Sequence, residues 1–481
     1  MNPGYATGMS PTSPSFQRRL LPLLFLIGCV QLRAQDTTTT SGPPVRIMGI
    51  TITGNAKTRD RIILRELLVH EGDSLGTTTL YDKLERSRQN LMNTALFNTV
   101  SVQPLYLSPG AAMVEVTVNE RWYLWPAVIF DLADPNFNTW WLTKDFSRVN
   151  YGLYLFKYNF RGQNETVYVK AQFGYTRQFA LRYKVPYIDR KQRLGLSIGG
   201  SFFQQAEITA ATVDDKRVLI KNPDGSNRDE WKADAELSLR RTHDVRHFWR
   251  LGYTQAEVQD TITNVALDYF DGRATTSRFL SLGYALIWDQ RDVRIYPRAG
   301  HYAEVRIDRL GLGVLGENEP DVTTLYGTVK EWWKVSEKVT LQVSLRGKGT
   351  FGTPSYYVQE GLGYTHSVRG YEYYIIDGEH FALGKSNVIL QLIKPHTYRL
   401  EGMPLEAFRT FYFALYLDLF VDAGRVWDSR YAEQNFLANQ WMSGTGVGLD
   451  LVTSYDQVVR GEYTFNALGE HGFFLHFTQP F

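Results

Sequence analysis

From Trp122 to its end the chain alternates apolar and polar side chains with a period of two, run after run. That alternation limits the folds open to it more than any other feature. In residues 413–421 the odd positions Phe413, Leu415, Leu417, Leu419 and Val421 are apolar. The even positions Ala414, Tyr416, Asp418 and Phe420 lead on to Asp422. Successive strand residues face opposite sides, so one face is wholly apolar and the other carries the carboxylates. Val339, Leu341, Val343 and Leu345 alternate in the same way with Thr340, Gln342, Ser344 and Arg346. Val167, Val169, Ala171 and Phe173 alternate with Thr166, Tyr168, Lys170 and Gln172.

A soluble sandwich also alternates, so the decision between sandwich and membrane barrel rests on two further features. Charge recurs on the polar face of strand after strand, which suits a wet lumen. Aromatic doublets at Trp140-Trp141, Trp332-Trp333 and Tyr373-Tyr374 suit interfacial girdles. The chain holds 27 Phe, 29 Tyr and 11 Trp, yet mean hydropathy is only −0.28. No stretch after the N-terminal leader approaches the roughly 18 consecutive apolar residues of a membrane helix. A barrel strand needs only every second residue apolar. Sixteen strand-like runs follow Trp122, the last at 472–481, with the weakest signals at 122–132, 246–258 and 456–466. The polar gaps near 207–228, 259–273 and 352–384 read as extracellular loops, and Pro186-Tyr187-Ile188-Asp189 as a periplasmic turn.

The N-terminus reads as an export signal over residues 1–35. Arg18 and Arg19 precede a short apolar run, Leu20 to Ile27, too short to span a bilayer. Cleavage is expected near Ala34–Gln35. Cys29, the only cysteine, is then discarded without a lipid, and the mature chain has neither disulfides nor thiolate metal sites. Residues 36–44 form a Thr/Pro/Gly linker.

Residues 45–120 read as a small α+β unit. Arg46 to Ile52 form a strand, and Ile62, Ile63, Leu67 and Leu68 lie near helical spacing behind the candidate caps Thr58 and Asp60. Leu80, Leu84, Leu91 and Ala95 mark a second helix carrying Arg86 and Arg88 among its polar residues. Two strands then close across Ser108-Pro109-Gly110. The order strand, helix, helix, strand, strand predicts a small sheet covered on one face by two helices. Residues 121–481 form the sixteen-stranded antiparallel transmembrane barrel.

Catalytic signatures fail their context tests. Gly311-Leu312-Gly313-Val314-Leu315-Gly316 matches a dinucleotide fingerprint, but the loop-like Glu317-Asn318-Glu319-Pro320 follows it instead of a helix. Gly384-Lys385-Ser386 resembles the end of a phosphate loop, but a strand follows and the preceding Gly378 is one residue too far away. His366, His380, His471 and His476 have no partner at fixed spacing, and no metal-ligand spacing recurs among the nine histidines. No enzyme activity, cofactor or metal is expected. A net charge of +2 implies no nucleic-acid partner.

Three segments in order carry a family likeness. They are Asp289-Gln290-Arg291-Asp292 with Tyr296-Pro297-Arg298-Ala299-Gly300, then Ser367-Val368-Arg369-Gly370-Tyr371, then Phe420-Val421-Asp422-Ala423-Gly424-Arg425-Val426-Trp427. They resemble the mid-barrel hairpin, the VRGF/Y loop motif and the FxDxG strand motif of the POTRA-plus-barrel superfamily. That group contains the BamA- and TamA-like assembly proteins and the two-partner secretion pores, and residues 45–120 resemble a single POTRA domain. The resemblance implies a bacterial outer-membrane protein that folds and inserts β-barrel proteins through a lateral seam between its first and last strands. The alternative it leaves is a translocation pore dedicated to one secreted partner. It implies unfolded outer-membrane or secreted clients, the lipid bilayer, and chaperones or accessory subunits engaged through residues 45–120.

For the seam, Phe473, Phe477 and Phe481 share one face of the closing strand, and Pro126 and Pro480 each remove a backbone donor near it. For the loop, Arg369 is expected to fold into the lumen and pair with Asp422, with Gly370 allowing a tight turn. The superfamily's assembly members usually carry a glutamate where this chain has Gln391, so Asp422 is expected to carry most of the charge compensation.

Overall fold

A computed structural model of the 481-residue chain describes residues 43–132, 146, 149–222, 225–270, 272–316 and 318–478. The leader with Cys29 and the linker up to residue 42 lie outside these residues, as do Trp140, Trp141, Pro480 and Phe481.

The N-terminal unit is built around one helix face and one sheet face. Strand β1 (Val45–Thr53) pairs in parallel with β4 (Ala111–Glu120), a connection that requires a crossover. Helices α1 (Asp60–Leu64) and α2 (Thr77–Met92) supply it. The sheet is completed by β2 (Ser74–Leu75) and β3 (Phe97–Ser108), in the order β2-β1-β4-β3. Leu80, Leu84 and Leu91 of α2 are buried against Val45, Ile47, Val114 and Val116 in a single core. Thr58 does not cap α1. Its hydroxyl donates to Glu120 Oε1 at 2.6 Å, because the carboxylate is the stronger acceptor within reach.

The rest is a sixteen-stranded antiparallel barrel, as the alternation predicts. Its first strands are β5 (Leu124–Leu132), β6 (Val149–Phe160), β7 (Glu165–Gly174), β8 (Thr176–Val185) and β9 (Leu194–Gln205). A separate hairpin, β10 (Glu207–Val213) and β11 (Lys216–Lys221), interrupts the wall, which resumes with β12 (Arg228–Arg240) and β13 (Val245–Val258). Then follow β14 (Thr276–Asp289), β15 (Gly300–Leu310), β16 (Val322–Lys334), β17 (Val339–Gly352) and β18 (His380–Arg399). The wall ends with β19 (Thr410–Trp427), β20 (Trp441–Thr453), β21 (Gln457–Asn466) and β22 (His471–Thr478). The runs with the weakest signals at 122–132, 246–258 and 456–466 all correspond to wall strands.

Along β19 the faces separate as the period-two pattern requires. Asp418 and Asp422 are fully buried toward the interior, whereas Leu419 and Val421 are more than half exposed. Val128, Phe130, Leu153, Leu345 and Phe473 are likewise exposed, giving an outward apolar surface of the kind a bilayer covers. Inside, charges pair between strands: Arg250 meets Glu236 of the adjacent β12 at 2.6 Å, and Arg182 of β8 reaches over β9 to Asp234 of β12 at 2.6 Å.

The gaps read as plain extracellular loops have structure of their own. The β10–β11 hairpin packs on helix α3 (Asp260–Val265) and on Tyr356 and Tyr357 of the loop over 353–379. The β10–β11 turn is tied to that loop and to residues 431–437. Ile375 N donates to Asp215 O at 2.9 Å, and Asp215 Oδ2 accepts from Leu437 N at 2.8 Å. The two described aromatic doublets are split in burial. Trp333 and Tyr373 are exposed, while Trp332 and Tyr374 are buried.

Candidate functional site

Loop 353–379 leaves β17, turns into the lumen and returns to β18, and its tip is held by the wall strands. Val368 and Tyr371 are buried with Leu362, Phe381, Val426 and Met442. Between them Gly370 has φ +93°, a conformation that disfavours any side chain. Its carbonyl accepts from Asn466 Nδ2 at 2.7 Å. The loop fits because the wall lacks side chains where it lands. A Cβ on Gly424 would meet Val368 Cγ2 at 2.6 Å, and one on Gly444 would meet the Arg369 carbonyl oxygen at 1.8 Å.

Arg369, 5% exposed, is brought onto Asp422. Its Nε donates to Oδ2 at 2.8 Å and its Nη2 to Oδ1 at 2.6 Å, a two-pronged contact. The backbone N–H of Arg369 reaches the same carboxylate at 3.2 Å. The guanidinium lies 3.6 Å from the centre of the Phe420 ring, a cation–π contact that accounts for the aromatic in the strand motif.

The charge compensation differs from the expectation. Asp422 does not stand nearly alone, since Arg369 Nη1 also lies 3.4 Å from Glu462 Oε1 and 3.5 Å from Asp418 Oδ2. Asn387 Oδ1 accepts from Nη2 at 2.7 Å, and Lys385 Nζ sits 3.4 Å from Asp422. Gln391 is further along β18, opposite Tyr416 rather than Asp422. There it accepts from Arg298 Nη1 of the mid-barrel hairpin at 2.8 Å. The additional carboxylates come from a four-residue step along β19, Asp418, and from Glu462 on β21, a strand with no motif to mark it.

The mid-barrel hairpin folds inward from the opposite end. Tyr296 stacks on Tyr416 with ring centres 4.4 Å apart and donates to Asp450 Oδ2 at 2.7 Å. Asp289 binds Arg291 Nε at 2.8 Å and Arg294 Nε at 3.0 Å. The glycine-rich segment 311–316 folds around its own carboxylate, with Glu319 accepting from Leu312 N and Gly313 N at 2.9 Å each.

Alanine at Gly444 will test how tightly the loop is held. The strand must move or the loop must lift, at a cost of about 1–3 kcal/mol or more. Thermal unfolding in detergent is expected to shift downward and trypsin to cleave faster within 353–379. Gly327→Ala is the control, since nothing lies within 4 Å of that Cβ position.

Beneath the barrel, residues 45–120 are clamped to its turns. Glu66, 2% exposed, accepts from Arg240 Nη1 and Nη2 at 2.6 and 2.7 Å and from the neighbouring Arg65 at 3.0 Å. Arg65 lies over the Tyr187 ring at 3.7 Å, and Arg86 reaches Asp244 at 3.2 Å. Asn93 exchanges hydrogen bonds with Asp292 O and Arg294 N at 3.2 and 3.0 Å. Arg121 pairs with Asp456 at 2.6 Å. None of the contacts that cross to the barrel was anticipated, because each joins segments far apart in the chain.

The seam residues have a common setting. β5 pairs with β6 and β22 pairs with β21, and among the described residues no ladder joins β5 to β22. Pro126 sits within β5 opposite Leu155. Phe473 and Phe477 point outward from β22, and Phe481 lies outside the described residues.

Together, an N-terminal α+β domain, a sixteen-stranded barrel and an arginine-tipped loop bound inside it define an outer-membrane barrel of the POTRA-bearing class. The chain belongs to the Omp85 superfamily: residues 159–465 match the Omp85 superfamily domain, and residues 45–121 match the POTRA family described as a surface antigen variable number repeat. Barrels of this family are bacterial outer-membrane proteins. The fold is similar to BamA from Haemophilus ducreyi lacking POTRA domains 1–3, with TM-score 0.52 and 14% identity over 90% of this chain and 84% of that one. It is equally similar to CdiB from Escherichia coli, with TM-score 0.52 and 14% identity over 90% of this chain and 75% of that one. No curated protein matches the sequence.

Proposed function

We propose that this protein assembles outer-membrane proteins, its barrel opening between β5 and β22 so that a client strand can pair with the exposed edges and fold into the membrane. The observation that carries this reading is the missing ladder between the two terminal strands among the described residues. Unpaired backbone groups in hydrocarbon cost several kcal/mol each, so an unzipped seam favours recruitment of a new strand, a form of β-augmentation. Pro126 removes one donor from β5 and limits how far the seam can zip. The β3 edge of the N-terminal sheet, with Leu105, Tyr106 and Leu107 exposed, offers periplasmic clients or accessory subunits a second place to add a strand.

One cysteine placed in β5 and one in β22 test the mechanism, because the chain's only cysteine is Cys29. Oxidation is expected to stop client assembly while the barrel stays folded, and reduction to restore it. Full activity with the seam locked rules out lateral opening. Depletion separates this function from that of a pore dedicated to one secreted partner. Loss of many barrel proteins from the membrane fits assembly, whereas accumulation of one periplasmic client fits secretion.

A further inference from the structure

Where the lumenal loop meets the terminal strand, three ligand atoms from separate segments converge. They belong to Glu372 in the loop, Glu462 on β21 and His476 on β22, and all lie within 4.8 Å of one another. We propose that Glu372, Glu462 and His476 bind a divalent cation, zinc by their ligand chemistry, which ties loop 353–379 to the last strand of the barrel.

Two of the three groups have buried polar atoms that the protein does not satisfy. Glu372 Oε2 accepts from Gly370 N at 2.8 Å, but its Oε1 is buried without a donor. His476, whose side chain is 41% exposed, turns its covered Nε2 toward Glu462 Oε2 at 3.2 Å without a well-formed hydrogen bond. A buried acceptor without a partner is costly, and a cation between these atoms removes the cost. Glu462, 1% exposed, is already divided in the required way: Oε1 faces Arg369 and Oε2 faces His476.

The surrounding charge agrees. Asp418, Asp422, Asp450, Glu462 and Glu372 are five carboxylates in one connected cluster, faced by the three cations Arg369, Arg460 and Lys385. With His476 neutral the cluster is short of two positive charges, which one divalent ion supplies. One imidazole and two carboxylates suit zinc, which takes three protein ligands and a water, whereas magnesium and calcium prefer oxygen throughout. The segment is already seated on the terminal hairpin. The Tyr373 ring lies 5.3 Å from that of Phe474, and Tyr374 Oη donates to Glu470 at 2.7 Å. A bound ion would therefore fasten the seam strand β22 to the loop that Arg369 anchors.

The site is tested on tag-free, full-length protein in detergent, stripped with a chelator and titrated with zinc by calorimetry. One ion per chain is expected. Glu372→Gln and His476→Ala should each weaken binding by at least about 100-fold, beyond the roughly 10–100-fold typical for loss of a supporting residue. His471→Ala, in the same hairpin, should leave it unchanged. X-ray absorption on the zinc-loaded wild type should count one imidazole and two carboxylates, a readout that holds even if a variant fails to fold. Absence of stoichiometric binding, affinity unchanged in both ligand variants, or loss of the ion in His471→Ala would each overturn the proposal. Because the readout is binding, it stands or falls separately from the assembly function.

Discussion

Arg369→Ala will release the lumenal loop and abolish function in a protein that still forms its barrel wall. Removing the guanidinium leaves Asp422, Asp418 and Glu462 buried beside one another. Breaking a buried pair by deleting one partner costs about 3–5 kcal/mol, and here one cation serves three acids. Asp422→Ala should cost less, since Arg369 keeps Glu462 and Asp418 within 3.5 Å. The double mutant should be clearly less than additive. Arg369→Lys should not rescue, because a point charge cannot reproduce the two-pronged contact with Asp422 or the planar stacking on Phe420. Loop accessibility to protease, thermal unfolding and client assembly measure these effects. Equal losses for Arg369→Ala and Asp422→Ala would show that the two added carboxylates contribute nothing.

Glu66→Ala is expected to detach the N-terminal domain from the barrel, again at about 3–5 kcal/mol, because it strands Arg65 and Arg240 together at a covered junction. Solution scattering and cross-linking between α2 and the β12–β13 turn would detect the separation. Glu66→Gln keeps the shape, loses the charge and should fall between. The same contact predicts a pH dependence. Burial alone would raise the Glu66 pKa, but the charge and hydrogen bonds of Arg240, with Arg65, hold it below the usual carboxylate range. A depressed native pKa stabilises docking above the ordinary glutamate range, near pH 4.3, and that stabilisation is lost as pH falls through the native value. Docking should therefore be unaffected by acidification to about pH 5 and weaken below it. Undocking that begins near neutral pH would assign the junction to other groups.

The barrel was legible because a wall between lipid and water imposes a choice at every second residue, and the strand at 413–421 records it without exception. The lumenal contact was legible through Arg369 and Gly370 in a long loop and through Asp422 on the polar face of its strand, and the resemblance of both segments to the superfamily's motifs implied that they pair. The other acids of that contact were not. Asp418 alternates like any lumen residue, and nothing local distinguishes Glu462 from a solvated strand carboxylate. The inference from Gln391 failed for a related reason: a substitution at one strand position says nothing about acids supplied from neighbouring strands. Gly444 carries no motif, and its role exists only because the Arg369 backbone crosses it. The β10–β11 hairpin was read as a polar gap because its strands are short and its apolar residues face a cap rather than a bilayer.

The sheet order also bears on how such a chain finds its structure. Every wall strand from β5 to β22 pairs with its sequence neighbours, except where β9 skips the β10–β11 hairpin to reach β12. Each pairing therefore closes only a short loop, and the wall can zip from one hairpin to the next with low contact order. Joining β5 to β22 would instead bring together ends separated by the whole wall, an entropic cost of roughly 5 kcal/mol for a loop of that length. Arg369 spans part of that distance from within, since it bonds at once to β18, β19 and β21. The final quarter of the wall should thus curve and set around the loop tip before the circle is complete, leaving the join between first and last strands as the slowest and least committed step of folding.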